Sequence, residues 1–333
     1  MTLTSGSGSG IVLELESVDC AVCATGPNGA TMVFEGHDIE FRTCDNAFAF
    51  LECAGCGHWY LTPRPQEHDL DRIYANYLTL NDDSAYHPSG LVTWVKRNVF
   101  DRRRMRPVLS NLREGSKVLE IGAGSGRQLE FLADISPCAI ELYANDIAFD
   151  DKVRSALHAK NIRLLEGAIE SVETEARFDA IVSVHVIEHV IDPKAVFRWM
   201  SSHLAPGGIL YLETPDTNAP ARRIFRDNWG MTHFPRHFHL FSRKILAELA
   251  RESGLEIVRH RATTSAPAWN MSIRNSMKMD ALTKHKSIFE IFNYSNVVTL
   301  SFFTGVDLLL MLLGFPTSTQ QLIARKPITG GTS

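Results

Sequence analysis

The chain has no surplus of positive charge. Its 333 residues carry 34 Lys and Arg against 38 Asp and Glu, a formal net charge of −4. Stretches in which basic and aromatic residues interleave are also missing, so a broad nucleic-acid surface is not expected. The opening residues, Met1–Gly10, contain no basic region followed by an apolar run. A secretory signal is therefore not expected, the Ser/Gly alternation reads as a flexible tail, and the cytoplasm is the expected location. Long apolar runs are scarce. The strongest, Val297–Phe315, contains Gly305 and Asp307, and it reads as a buried or homodimer-forming helix, with a membrane-surface contact the less favoured reading.

Cysteine is sparse and unevenly placed. Cys20-x-x-Cys23 and Cys53-x-x-Cys56 form two pairs, and Cys44 and Cys138 stand apart. Two such pairs supply the four thiolates of a tetrahedral structural zinc ion and leave no open position for catalysis. A disulfide reading conflicts with a reducing compartment. Between the pairs, Thr31–Arg42 alternates well enough for a hairpin, as in a zinc ribbon. His37, Cys44 and His58 are further donors that read as incidental, and Cys138 reads as a core thiol.

Against these scarcities stands one glycine-rich stretch. Residues 117–126 read Lys-Val-Leu-Glu-Ile-Gly-Ala-Gly-Ser-Gly. An apolar run (Val118, Leu119, Ile121) ends in Gly122, Gly124 and Gly126, and a helical segment with Leu129, Phe131 and Leu132 on its apolar side follows. A strand, a glycine turn and a helix N-terminus bring backbone close to a ligand. Dinucleotide folds space these glycines as G-x-G-x-x-G. Here the spacing is G-x-G-x-G with Glu120 just before it, which suits a cationic ligand better than a pyrophosphate.

The downstream segments have a consistent order. Ala139–Ala144 reads as a second strand with Asp146 just past its end, where a βαβ unit delivers an acid to a ribose. Ile162–Leu165 leads into Glu166-Gly167-Ala168-Ile169, and Phe178–Val184 reads as a buried parallel strand running into His185. Asp192-Pro193 reads as an N-cap with proline at the first helical position. That helix is expected to end near Leu204, with Pro206-Gly207-Gly208 turning into a strand at Ile209–Glu213.

In this order the segments resemble the motifs of the class I S-adenosylmethionine-dependent methyltransferases. The run from Cys53 to Pro65, and His233-Phe234-Pro235-Arg236-His237-Phe238-His239 after the fifth strand, are similar to a bacterial group of small-molecule and sugar methyltransferases. The resemblance implies an α/β, doubly wound Rossmann-like fold with a seven-stranded, mostly parallel sheet, a small N-terminal zinc ribbon and a helical lid or insertion. It implies a tail at 1–16, a zinc-ribbon-like module at 17–64 and a helical lid or linker at 65–110, containing Tyr74, Tyr77 and Tyr86. The methyltransferase core would occupy 111–333, with a helical insertion at 263–316 and Gln321–Pro327 as the last strand.

The resemblance also implies S-adenosylmethionine as cofactor and assigns residues to it. Glu120, Gly122 and Gly124 would line its methionine end, Asp146 its ribose, and Gly167, Ala168 and Ile169 its adenine, with Ala123, Gly126 and Ile147 also among the cofactor-binding residues. Where many relatives have Asp, this chain has Ala168, so only backbone contacts are expected there. His185 would sit near the methyl group. Structural zinc would be held by Cys20, Cys23, Cys53 and Cys56.

Methyl transfer requires alignment and a deprotonated nucleophile, and a base near neutral pH points to histidine. His237 is the first candidate, His185 the second, and His233 comes from the same segment as His237. His185-x-x-Glu188-His189 has histidine where a metal-dependent quinone-biosynthesis type has glutamate. Glu188 and His189 accordingly read as orienting the following helix. The basic stretch of Lys96-Arg97 and Arg102–Arg106 reads as a solvated helix face. The expected function is methylation of a small polar acceptor, such as a sugar nucleotide or natural-product intermediate. The alternatives are an RNA-modifying methyltransferase and a cofactor-binding regulatory protein without catalysis.

Overall fold

The computed structural model describes residues 11–74, 101–279, 291–293 and 296–328. Tyr77, Tyr86, Lys96 and Arg97, with most of the expected lid at 65–110, lie outside the described residues. The chain divides into two units. One gathers residues 1–87, 215–242 and 262–319; the other gathers 88–214, 243–261 and 320–333. The ribbon expected at 17–64 and the insertion expected at 263–316 thus fall in one discontinuous unit.

Thirteen strands are numbered in chain order among the described residues. In the first unit, β1 (Leu15–Glu16) pairs antiparallel with β5 (Arg64–Pro65). A four-stranded antiparallel sheet runs β11-β4-β3-β2, formed by β2 (Thr31–His37), β3 (Ala47–Glu52), β4 (Trp59–Leu61) and β11 (His239–Leu240). The hairpin expected within Thr31–Arg42 is instead β2 against β3. The reason lies in Asp38, whose carboxylate accepts the N–H groups of Phe41 at 3.0 Å and Thr43 at 2.8 Å. It thereby ties the chain into a local turn after β2. Phe34, Phe48 and Phe50 pack this sheet, and Phe234 lies against Phe48 and Phe50. Gly36 makes room for the Phe234 ring, because a Cβ there would come within 2.8 Å of its edge. Two helices, Ala266–Met279 and Val297–Leu312, complete the unit. No helix among the described residues is long and apolar enough to cross a membrane.

The second unit is built on β6 (Ser116–Ile121), β7 (Ile140–Asp146), β8 (Arg163–Glu166), β9 (Phe178–Val184), β10 (Leu204–Pro215), β12 (Glu256–Thr263) and β13 (Thr319–Arg325). These lie in the order β12-β13-β10-β9-β6-β7-β8. From β8 through β10 every pairing is parallel. Strands buried on both faces read as nearly continuous apolar runs. Val118, Leu142, Ala180 and Val182 accordingly form one core with Leu129 and Leu132 from the helix Arg127–Ile135. Asp192 caps the helix Pro193–His203 by accepting from Ala195 N at 3.0 Å. Two boundaries differ from expectation. Asp146 is the last residue of β7 rather than a loop residue. β10 begins at Leu204, and the irregular pairing with β9 between Leu204 and Ile209 absorbs Pro206-Gly207-Gly208. Strand order reverses between β6 and β9, which opens a crevice at their carboxyl ends. Gly122 and His185 follow those ends directly.

Candidate functional site

At the β6 end the backbone turns through Gly122, Gly124 and Gly126, all with positive φ (71°, 52° and 75°). Space excludes larger residues as well. A Cβ on Gly122 would lie 2.3 Å from Val186 Cγ2, and one on Gly126 would lie 2.3 Å from Leu157 Cδ2. The Ala123 N–H donates to Asn145 O at 2.9 Å, which locks the turn to β7. Asp146 then accepts the N–H of Gly124 and of Ile147, each at 2.8 Å. Asn145 donates from Nδ2 to Leu165 O at 2.7 Å and Gly167 O at 3.0 Å, placing the Gly167-Ala168-Ile169 turn beside β7. Ile147 is exposed and Ile169 is buried.

Glu120 is buried, and among the described residues its Oε2 has no hydrogen-bond partner. Burial raises its carboxyl well above the ordinary carboxylate range. The Leu129 N–H opposes that shift, and Asp146 adds to it. Burial also raises Asp146, against the two N–H groups it accepts. A buried, unpartnered acceptor beside a second carboxylate is the environment that a cation would complete. The acids and open glycine backbone therefore fit S-adenosylmethionine, a sulfonium with an ammonium group.

His185 lies just beyond β9 with φ of +55°. Its N–H donates to Glu213 O at 2.9 Å. The ring Nδ1 is 3.0 Å from Glu188 Oε1, while the side chain remains 40% exposed. Glu188 is fully buried and accepts from Thr214 Oγ1 at 2.9 Å. Burial opposes its ionisation, yet the His185 hydrogen bond and the charges of His185 and His189 hold its carboxyl below the ordinary range. Residues 185–189 follow a strand and form a turn rather than an α-helix.

The other candidate histidines belong to the first unit. His237 is buried with Nδ1 2.8 Å from Met231 O, and His233 Nδ1 lies 2.9 Å from Glu40 Oε2. His239 Nδ1 faces His58 Nε2 at 3.1 Å in a buried pair.

The two cysteine pairs occupy matching turns. Ala24 N donates to Cys20 O and Gly57 N donates to Cys53 O, both at 2.8 Å, with φ positive at Ala24 and Gly57. The turns bring all four sulfurs within 4.8 Å of one another, with Cys20–Cys56 at 3.7 Å and Cys23–Cys53 at 3.4 Å. Tetrahedral zinc with Zn–S near 2.3 Å needs sulfur edges of about 3.8 Å, so the cluster fits the ion. None of the four is in a disulfide. Cys44 is buried outside this cluster, His37 Nδ1 contacts Asn46 O, and Cys138 is half-buried.

The family described as "Methyltransferase domain" matches residues 95–260. A ubiquinone biosynthesis O-methyltransferase of Cereibacter sphaeroides is 30% identical over 193 residues, covering 53% of this chain and 74% of that protein. The chain belongs to the class I S-adenosylmethionine-dependent methyltransferases. A mitochondrial ubiquinone biosynthesis O-methyltransferase of Dictyostelium discoideum is 31% identical over 114 residues. That match covers 30% of this methyltransferase and only 36% of the relative. A solved Haemonchus contortus phosphoethanolamine N-methyltransferase 2, in complex with S-adenosyl-L-methionine, aligns at 15% identity with a TM-score of 0.49. It covers 90% of this chain and 69% of that one.

Within the second unit, the methyltransferase places Glu120, Gly122, Ala123, Gly124, Gly126, Asp146, Ile147, Gly167, Ala168, Ile169 and His185 around the carboxyl ends of β6 to β9. Sequence reasoning missed the braces supplied by β10 and the helix Arg102–Leu109. Thr214 holds Glu188 from one side. Arg104, assigned to a solvated helix face, instead donates from Nε to the fully buried Glu213 at 2.8 Å. Tyr211 and Gln321 also hydrogen-bond Glu213. These partners are distant in sequence, and only an acidic residue within an apolar strand hinted at them.

Proposed function

We propose that the protein methylates a hydroxyl of a small polar acceptor, with His185 as general base. The observation that carries this reading is the His185–Glu188 pair: an accessible imidazole whose Nδ1 is held by a buried, ionised carboxylate. Held this way, the ring presents Nε2 as the acceptor nitrogen, and Glu188 stabilises the imidazolium formed when the acceptor hydroxyl loses its proton. Thr214 fixes Glu188, and the Glu213 carbonyl fixes the His185 backbone. The bound cofactor supplies an electrophilic methyl group on a good leaving group, so the protein's work is alignment and proton removal. Asp146 would take the ribose hydroxyls and Glu120 the cationic end, while the turn at Gly167 receives the adenine through backbone groups. His237 and His233 are weaker candidates for the base, because both are buried whereas the His185 side chain is 40% exposed.

The names of the two ubiquinone-biosynthesis relatives support oxygen as the methylated atom. A sugar nucleotide or natural-product intermediate remains the acceptor class we favour. The test is transfer of radiolabelled methyl groups into panels of sugar nucleotides, phenolic intermediates and RNA. Label in a small-molecule hydroxyl, with an acidic limb in the pH profile that is lost in His185→Gln and a rate at least about a hundredfold lower, is the expected outcome. Label in RNA, or an unchanged rate in His185→Gln, overturns the reading.

We further propose that Cys20, Cys23, Cys53 and Cys56 hold zinc as a structural centre. The matching turns and sulfur spacing support this. Purified protein should contain one zinc per chain, and Cys53→Ser should lose most of it and melt at lower temperature. A metal-free wild-type protein with unchanged melting on chelation would refute the site.

A further inference from the structure

The helix Val297–Leu312 has its polarity reversed. Two of its polar side chains face the protein: Asp307 is buried and accepts from Ser265 N at 2.6 Å and from Trp269 Nε1 at 2.9 Å. Thr299 Oγ1 accepts from Asn270 Nδ2 at 3.0 Å. The N-terminus is secured by Asn296, whose Oδ1 accepts from Val298 N at 3.0 Å. The outward face is apolar apart from Ser301. Val298, Phe302, Leu309 and Leu312 are 78, 66, 56 and 83% exposed, and Leu308, Leu313 and Phe315 flank them.

Positions 298, 302, 305, 309 and 312 alternate spacings of four and three, the repeat of a helix–helix seam. Gly305 stands at the middle of this seam with open space where a Cβ would be, so a second helix can approach closely. We propose that this face is the contact surface between two copies of the chain, packed helix against helix around Gly305.

Three features select a second copy as the occupant. Seven large apolar side chains are exposed together on this helix and the turn after it, and a standard-size interface takes roughly 800 Å² from each partner. The only charged residue between 297 and 315 is Asp307, which points inward. The face therefore meets itself across a two-fold axis with no like charges opposed. An interfacial membrane helix, by contrast, carries Lys and Arg along its polar side, and this helix has none. An apolar patch of this size on a monomer is also an aggregation liability, which pairing removes.

The test is sedimentation equilibrium of the full chain, wild type against Leu309→Glu, with Leu309→Met as the conservative control. The wild type and Leu309→Met should sediment as dimers, and Leu309→Glu should weaken association tenfold or more with unchanged thermal melting. If Leu309→Glu does not fold, Gly305→Cys provides an independent readout. Mild oxidation should then give a 305–305 linked peptide, identified by mass spectrometry. A wild type that is monomeric at every soluble concentration, or a dimer indifferent to Leu309→Glu and without the 305–305 link, overturns the proposal. Co-sedimentation of the wild type with phosphatidylcholine–phosphatidylglycerol vesicles, lost in Leu309→Glu without any dimer, would assign the face to a membrane surface instead.

Discussion

Two buried carboxylates, one in each unit, are treated in opposite ways. Asp38 in the first unit is matched by Arg236, which donates to both of its oxygens at 3.1 and 3.2 Å. The remaining donors of that guanidinium reach Ile73 O, Phe234 O and Thr43 Oγ1, so the cluster is satisfied. Burial opposes the ionisation of Asp38, but Arg236 and Thr43 hold its carboxyl below the ordinary range. Glu120 in the second unit is equally removed from water, yet one of its oxygens has no partner among the described residues, and its carboxyl is pushed up. The difference separates architecture from function. A satisfied buried ion pair specifies a fold, whereas an unsatisfied one at a strand end marks a place where a ligand completes the arrangement.

The sharpest way to break the comparison is to remove the partner that Glu120 lacks and Asp38 has. Arg236→Met leaves Asp38 buried and alone and should destabilise the protein by about 3–5 kcal/mol, measured by denaturant unfolding. Adding Asp38→Leu to that variant should recover much of the loss, because the pair is then replaced by apolar groups. A loss below about 1 kcal/mol in Arg236→Met, the value of a surface pair, would show that the pair is not structural.

Asp146→Ala should have the next largest effect, confined to the cofactor. Two ribose hydrogen bonds to a carboxylate are worth several kcal/mol, so affinity for S-adenosylmethionine should fall at least about a hundredfold by calorimetry. Unchanged affinity would remove the ribose assignment.

The smallest effect is the most diagnostic. A carboxyl raised in the folded state imposes no penalty when it is protonated in both states and an increasing one as pH rises through the unfolded value. Glu120→Gln should therefore match the wild type near pH ~4 and below and melt a few degrees higher at about pH 7, in the absence of cofactor. The same variant should bind S-adenosylmethionine more weakly. Asp38 has the opposite sign: its contribution is present above the ordinary carboxylate value and is lost as pH falls through its lowered one. A Glu120→Gln protein less stable than the wild type at neutral pH would mean that Glu120 is satisfied after all.

Much of the second unit is legible in the sequence. The apolar runs at Val118–Ile121 and Phe178–Val184, the alternate glycines and the Asp192-Pro193 cap are local signals, and each forms the element it indicates. Local signals are weaker in the first unit. Asp38 ends β2 with its own side chain and moves the hairpin partner to Ala47–Glu52. The two cysteine pairs are readable because each knuckle is a local turn, although nothing in their spacing shows how near the four sulfurs lie.

The sequence alone determined the order of strands, glycine turn and capped helix, because strand periodicity, helix caps and glycine conformations are written within a few neighbouring residues. The fold class and cofactor followed from the family that this order resembles. Tertiary structure decided which polar side chains would be paired. Arg236 found Asp38, Arg104 found Glu213, and Thr214 found Glu188 across separations of 198, 109 and 26 residues. Burial, which only the folded chain creates, then turned Glu120 into an unsatisfied acid and left His185 held by Glu188 yet open to solvent. Hydrogen-bond satisfaction depends on everything that surrounds a group, and most of those surroundings come from elsewhere in the chain.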